Sequence, residues 1–226
     1  MNDKQYVVIV AGGNGTRMGA SVPKQFLLLQ GKPILMHTIQ RFYNYNKAIN
    51  IVVTLPVVEV ERWQQLCAEH NFSVQHSIVN GGETRFHSVK NALDTINEES
   101  LIAIHDGVRP LVSDDTIKHC FNEAQQSGAA IPVIECPESI RRITGNSSIA
   151  VDRSLYRLVQ TPQIFRSGIL LKAYRQAYLP LFTDDASVVE HDGHHISLVE
   201  GNNENIKITT PRDLLIADKL LSMQAI

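Results

Sequence analysis

The sequence predicts an α/β fold: a largely parallel sheet flanked by helices, with a β-arm projecting from it. Three observations predict this. Short β-branched runs alternate with longer stretches of helical periodicity. The first run ends directly in a glycine-rich loop. The alternation then breaks once, between about 137 and 160, into short extended pieces around a turn. At 226 residues the chain suits a single domain, 1–226, with the arm at 137–160 inserted in it.

Tyr6-Val7-Val8-Ile9-Val10-Ala11 reads as a strand buried on both faces. Pro33 opens a helix through Ile34, Leu35, His37, Thr38 and Phe42. Ile49 to Leu55 is a second strand, Val57 to His70 a helix, Ser73 to Val79 a strand and Glu83 to Ile96 a helix. Leu101 to Asp106 is a fourth strand, Asp114 to Gln126 a helix and Ala129 to Ile134 a fifth strand. In the arm, Ser139 to Ile143 and Ser148 to Asp152 flank Thr144-Gly145-Asn146-Ser147, a good hairpin turn. This segment has too few apolar residues for a core of its own, so a homodimer is the natural way to cover its face. Beyond it, Arg166 to Tyr178 and part of Ser187 to His191 read as helical, Ile196 to Val199 and Ile206 to Ile208 as short strands, and Pro211 to Met223 as a closing helix.

Composition narrows the function classes. Hydrophobic residues are 43% and charged residues 19%, the balance of a soluble globular protein. Lys and Arg total 21 against 23 Asp and Glu, so a general nucleic-acid binder is not expected, and anionic ligands must be held by a few placed cations. Cys67, Cys120 and Cys136 show no C-x-x-C spacing, which argues against a zinc–thiolate site and fits a reducing compartment. The first apolar run is far shorter than the roughly 20 residues of a membrane span. It is also shorter than a signal-peptide core. A cytoplasmic protein without a membrane partner is the expectation.

The sharpest motif is Ala11-Gly12-Gly13-Asn14-Gly15-Thr16-Arg17-Met18-Gly19, followed by Pro23-Lys24-Gln25. Such a loop after a first strand can aim several backbone N–H groups at one point, and glycine lets a phosphate approach closely. Arg17 offers a planar fork to phosphate oxygens and Lys24 a compact charge. A Walker A loop would need the sequence G-x-x-x-x-G-K-[ST], and a dinucleotide fingerprint would need Gly where Met18 stands. A nucleoside triphosphate is the ligand expected here. Asp106 ends a buried strand at the edge where open α/β sheets bind ligands, so it is the candidate Mg²⁺ ligand, with Arg109 three residues on. Gly81-Gly82, with Arg85 and Ser88, follows the third strand to the same edge. Lys207 lies between apolar neighbours and would need an anionic partner if buried. His105 reads as a core or hydrogen-bonding histidine, since a strand alternates its faces.

These motifs resemble the signature of nucleotidyltransferases that activate sugar and polyol phosphates. The whole chain resembles, within them, the 2-C-methyl-D-erythritol 4-phosphate cytidylyltransferase family of the non-mevalonate isoprenoid pathway. The likeness includes Gly81-Gly82-Glu83-Thr84-Arg85, His105-Asp106-Gly107-Val108-Arg109-Pro110, Asp152-Arg153, Gln160-Thr161-Pro162-Gln163, Thr183-Asp184-Asp185-Ala186-Ser187 and Asn205-Ile206-Lys207. It implies a Rossmann-like nucleotidyltransferase fold and transfer of CMP from CTP to a polyol phosphate, with Mg²⁺ on Asp106. Ala11, Gly12, Gly13, Gly15, Thr16, Lys24, Gly81, Gly82, Arg85 and Ser88 would then surround the nucleotide. Arg17, Lys24, Arg153 and Lys207 would carry the catalytic charges. Asp106, Arg109, Ser139, Arg153, Thr161, Asp185 and Lys207 would face the acceptor, Arg153 reaching across a homodimer. Two rivals stand beside this reading. Val108 leans toward a ribitol-5-phosphate cytidylyltransferase, whereas Phe182 to Glu190 and Gly201 to Lys207 favour the methylerythritol enzymes. A non-catalytic nucleotide-binding regulator is disfavoured by the presence of Arg17, Lys24, Asp106, Arg153 and Lys207 together.

Overall fold

The structure is a computed structural model and describes residues 4–12 and 22–224. The expectations placed on Gly13, Gly15, Thr16 and Arg17 lie outside the described residues.

Strand β1 (Lys4–Val10) is followed by a 3-10 turn at Lys24–Phe26 and a small hairpin, β2 (Leu28–Leu29) and β3 (Lys32–Pro33). Its tip, Gln30-Gly31, has positive φ at both residues (47° and 74°), the conformation a two-residue hairpin turn requires. Pro33 then opens α1 (Ile34–Tyr45), as its fixed φ and missing N–H favour. Next come β4 (Asn50–Leu55), α2 (Val60–Glu69), β5 (Ser77–Asn80), α3 (Arg85–Leu93), β6 (Ser100–Asp106), α4 (Asp114–Ser127) and β7 (Ala129–Glu135). The arm hairpin is β8 (Ile140–Thr144) with β9 (Ser147–Val151). The chain returns through β10 (Arg157–Val159) and β11 (Gln163–Arg166) to α5 (Ser167–Ala173), α6 (Asp185–His191), β12 (Ser197–Glu200) and α7 (Pro211–Gln224).

The central sheet runs β10-β7-β11-β6-β1-β4-β5, with β12 also on β7. Strands β1, β4, β5 and β6 are mutually parallel, and β12 is parallel to β7. Strand β11 is inserted antiparallel between β6 and β7. One face of the sheet buries α1, α2 and α4 around Phe42, Trp63 and Phe121, and the other buries α3, α5 and α6 around Phe86, Phe165 and Val189. A third cluster, with Leu29, Val108 and Ala217, seats α7 beside the small hairpin.

Four expectations are corrected. Gln163–Arg166 is a central strand, and the helix expected from Arg166 occupies only Ser167–Ala173. Four residues with two apolar positions are too few to display an alternation. Ile206 to Ile208 is irregular chain, tied to the rest of the fold by the backbone bond from Ile208 N to Val108 O (3.0 Å) rather than by a ladder. The third strand begins only at Ser77. Of the span 137–160, the two-stranded hairpin occupies 140–151, while Arg157–Val159 pairs antiparallel with β7 in the main sheet.

Candidate active site

Because β1, β4, β5 and β6 are parallel, the residues after each strand meet at one edge. Backbone bonds tie those ends together: Ala11 N to Thr54 O (3.0 Å), Gly81 N to Leu55 O (2.7 Å) and Gly107 N to Val10 O (2.9 Å). They frame a cavity of about 420 Å³ lined by Ala11, Gly12, Lys24, Gly82, Ser88 and Asp106 among others. Buried Gln25 donates from Nε2 to the Ala11 carbonyl (2.9 Å), which pins the turn that carries Lys24 against the end of β1.

The start of α3 is built around Gly82. Thr84 caps the helix, its side chain accepting from His87 N (3.4 Å). The Ser88 hydroxyl accepts from Gly82 N and donates to the Thr84 carbonyl, both at 3.0 Å. A Cβ on Gly82 would lie 2.4 Å from His87 Cβ and 2.8 Å from its carbonyl carbon, so only glycine fits. The Gly82 N–H is therefore used inside the protein, and Ser88 acts first as the staple of this turn.

Asp106 sits in a cage of cations. Its Oδ2 is 3.1 Å from both Arg109 Nε and Lys207 Nζ, and its Oδ1 is 3.8 Å from Arg85 Nε. Burial alone would raise this carboxyl, but Lys207, Arg85 and Arg109 outweigh it and hold the group well below the usual carboxylate range. A second cavity of about 210 Å³ lies beyond, lined by Arg109, Gln160, Thr161 and Asp184 together with Arg85, Asp106 and Lys207. Those last three residues line both cavities and form the wall between them.

The wall is set from behind by a directional hydrogen-bond chain. The Asp106 N–H donates to Thr161 Oγ1 (3.1 Å), which contacts His105 Nδ1 (3.0 Å). His105 Nε2 contacts the Arg109 carbonyl at 3.0 Å. A carbonyl only accepts, so the proton sits on Nε2, and Nδ1 accepts from the threonine hydroxyl. His105 is fully buried against Phe42, and burial lowers its pKa to about 4, so the ring is neutral as this chain requires. The expectation of a structural histidine holds. Asn205, to which residue type alone assigned no role, is buried and donates from Nδ2 to the Thr161 carbonyl (2.8 Å), while its backbone carbonyl accepts from Arg109 Nη1 (2.6 Å). It thereby places Lys207, two residues on; the motif Asn205-Ile206-Lys207 held it, but residue type alone gave the amide no role.

Four of the positions expected to face the acceptor are placed as follows. Asp185 is fully buried and accepts from Arg85 through both oxygens (2.9 and 2.6 Å), so it faces Arg85 rather than a cavity. Thr161 lines the second cavity, but its hydroxyl is engaged by Asp106 and His105. Ser139 and Arg153 are exposed at the base of the arm, where Arg153 donates to the Pro137 carbonyl, and neither lines its own chain's two cavities.

Among the described residues no cluster of three His, Cys, Asp or Glu side chains could hold a metal unaided. Magnesium needs less, taking one or two carboxylates plus phosphate oxygens. Asp106 fits that role: Arg109 and Lys207 crowd Oδ2, while among the described residues the cation paired with Oδ1 is Arg85, at 3.8 Å. No helix among the described residues is long and apolar enough to cross a membrane.

A strand-end cavity on a mostly parallel α/β sheet, with Asp106 held among Lys207, Arg109 and Arg85, is a site suited to nucleotidyl transfer. The family model described as "IspD: 2-C-methyl-D-erythritol 4-phosphate cytidylyltransferase" matches residues 5–223. The chain belongs to that family and is a cytidylyltransferase. A relative of the same description from Bacteroides thetaiotaomicron is 52% identical over 218 residues, 96% of this chain and 100% of its own. Another from Porphyromonas gingivalis is 52% identical over 223 residues, 98% of this chain and 100% of its own. Among solved structures, the Francisella tularensis 2-C-methyl-D-erythritol 4-phosphate cytidylyltransferase superposes with a TM-score of 0.79 at 34% identity, covering 96% of this chain and 99% of that one. The Thermus thermophilus enzyme gives 0.77 at 31%, covering 98% and 100%.

Proposed function

We propose that this single-domain chain transfers CMP from CTP to 2-C-methyl-D-erythritol 4-phosphate. The products are 4-diphosphocytidyl-2-C-methyl-D-erythritol and pyrophosphate, in isoprenoid precursor biosynthesis in the cytoplasm. The observation that carries this reading is the shared wall: Arg85, Asp106 and Lys207 line both a larger and a smaller cavity. CTP takes the larger cavity and the acceptor the smaller, so the two reacting phosphates meet at these residues.

A phosphate monoester is largely dianionic at neutral pH, its second ionisation lying near 6, so the nucleophile needs no general base. An acceptor phosphate oxygen bonds to the α-phosphorus as the bond to the β-phosphate's bridging oxygen breaks, releasing pyrophosphate in line. The barrier is the approach of two anions, which Lys207 and Arg109 relieve on the acceptor side and Lys24 and Arg17 on the triphosphate side. Asp106 Oδ1 would hold Mg²⁺ against the triphosphate, where the ion supplies charge neutralisation to the leaving pyrophosphate.

A homodimer completes the site in this reading, with Arg153 meeting the partner's acceptor phosphate. Its support is the exposed apolar surface on and beside the arm: Ile143, Ile149, Leu155 and Leu158. Val108, the residue that leaned toward ribitol phosphate, packs among Leu29, Leu111 and Ile208 and also lines the larger cavity rather than the smaller one. The deciding test is pyrophosphate release from CTP and Mg²⁺ with 2-C-methyl-D-erythritol 4-phosphate and, separately, ribitol 5-phosphate. Turnover of the first alone supports the reading. Preference for the second reverses the substrate, and release with neither returns the chain to a regulator.

A further inference from the structure

Arg85 reaches the cavity wall in an unusual way for a residue beside phosphates. Both of its terminal nitrogens are spent on Asp185, Nη1 to Oδ1 at 2.9 Å and Nη2 to Oδ2 at 2.6 Å. Asp185 is fully buried and also accepts from the Tyr174 hydroxyl at 2.7 Å. The Tyr174 ring is itself buried and stacks on Phe86, the neighbour of Arg85, at 4.7 Å between centroids. Asp185 is the first residue of α6, held there by the capping box that Asp184 and Ser187 form. Arg85 lines both cavities, and its Nε lies 3.8 Å from Asp106 Oδ1. Burial would lower its pKa, but Asp185 and Asp106 outweigh that and raise it, so the charge is permanent.

We propose that Asp185 and Tyr174 are positioning residues that clamp Arg85 as a fixed positive charge on the wall between the nucleotide and acceptor cavities. This rests on the assignment of those cavities given above. A free arginine fork would swing onto the triphosphate and bind it equally well before and during reaction, which lowers KM without raising kcat. A clamped one cannot follow the ground state, and its charge stays where the α-phosphate develops negative charge. The clamp also explains why a carboxylate from the acceptor-side motif turns away from the acceptor.

The test is steady-state kinetics on Tyr174→Phe, Asp185→Asn, Arg85→Met and the Asp185→Asn/Arg85→Met double variant, each checked for folding by circular dichroism. Loosening a group that supports the reacting site lowers kcat by roughly 10- to 100-fold for Asp185→Asn, with the KM for CTP unchanged or lower. Tyr174→Phe keeps the ring stack and gives the same pattern at about threefold. In the Arg85→Met background, Asp185→Asn costs no further kcat. Folded variants with wild-type kcat, a rise in KM alone, or losses that multiply in the double variant overturn the proposal. Should Asp185→Asn fail to fold, the split between kcat and KM in Tyr174→Phe decides. A second readout is independent of turnover: the Arg85 side-chain N–H signals in NMR are resolved in the wild type and averaged in Tyr174→Phe. Averaged signals in the wild type sink the clamp, whereas a wild type that is clamped but releases no pyrophosphate sinks the functional assignment instead.

Discussion

The Lys207 ammonium lies 3.1 Å from Asp106 Oδ2, although Asp106 closes a buried strand and Lys207 stands on irregular chain beyond β12. The contact exists because Asn205 is tied to the Thr161 carbonyl, and Thr161 is tied to the backbone of Asp106. One carboxylate thus gathers cations from three separate segments, and removing any of them tests a different part of the site.

Replacing Lys207 by Met removes a charge from the wall while leaving the fold nearly intact, because this side chain is 40% exposed. Loss of one such electrostatic stabiliser lowers kcat by roughly 10²- to 10³-fold. Steady-state pyrophosphate release measures it, and a kcat within a few-fold of wild type would remove Lys207 from the reaction.

Two glycines give opposite outcomes. In Gly82→Ala the new methyl meets His87 at 2.4 Å, including backbone at 2.8 Å, so the turn and the start of α3 must shift. Overpacking of this kind costs about 1–3 kcal/mol, and the displaced turn raises the KM for CTP. In Gly168→Ala, within α5, nothing lies within 4 Å, and the variant is more stable by about 0.4–1 kcal/mol through the unfolded state. Urea denaturation of the pair checks both signs.

His76 makes stability depend on pH. Trp63 Nε1–H donates to His76 Nε2 (2.9 Å) and His76 Nδ1 contacts the Val74 carbonyl (2.7 Å), so the ring is bonded as the neutral form. Burial lowers its pKa from 6.5. The unfolded chain therefore takes up the proton first as pH falls, and the stabilisation, complete above 6.5, is lost as pH drops toward the folded value. Trp63 is the chain's single tryptophan and stacks on Phe26, so its fluorescence follows the event. The urea midpoint should fall between pH 7 and 5 in the wild type and fall less in His76→Gln. Parallel curves would clear His76 of the effect.

If Arg153 serves the neighbouring subunit, two inactive variants complement each other. Mixing Lys24→Ala with Arg153→Ala subunits after dissociation yields hybrids in which one of two sites is intact. Random reassociation of a two-fold dimer then restores about a quarter of wild-type activity. If Arg153 acts within its own chain, every hybrid site carries one defect and the mixture stays inactive.

Much of the fold was legible because it is written in local patterns. The β-branched runs of β1, β4, β6 and β7 and the periodicity of α1 and α4 reflect burial that each segment meets on its own, and Gly145 marked the arm's turn. The residue types gathered at the strand ends, Lys24, Gly82, Asp106 and Arg109, were likewise legible, since a parallel sheet must bring those ends to one edge. Strand β11 was not legible, because four residues gain strand geometry only from the β6 and β7 edges they bridge. Nor could residue type decide that Asp185 turns to Arg85 and Tyr174, or that Thr161 bonds Asp106 and His105. A short polar side chain in a loop has several partners within reach. Which one it takes depends on what the rest of the chain buries beside it, since a buried carboxylate or hydroxyl must be satisfied wherever packing leaves it. The sequence by itself determined the class of fold and the chemistry available at its edge. Tertiary structure alone decided which of those groups face the cavities and which hold the others in place.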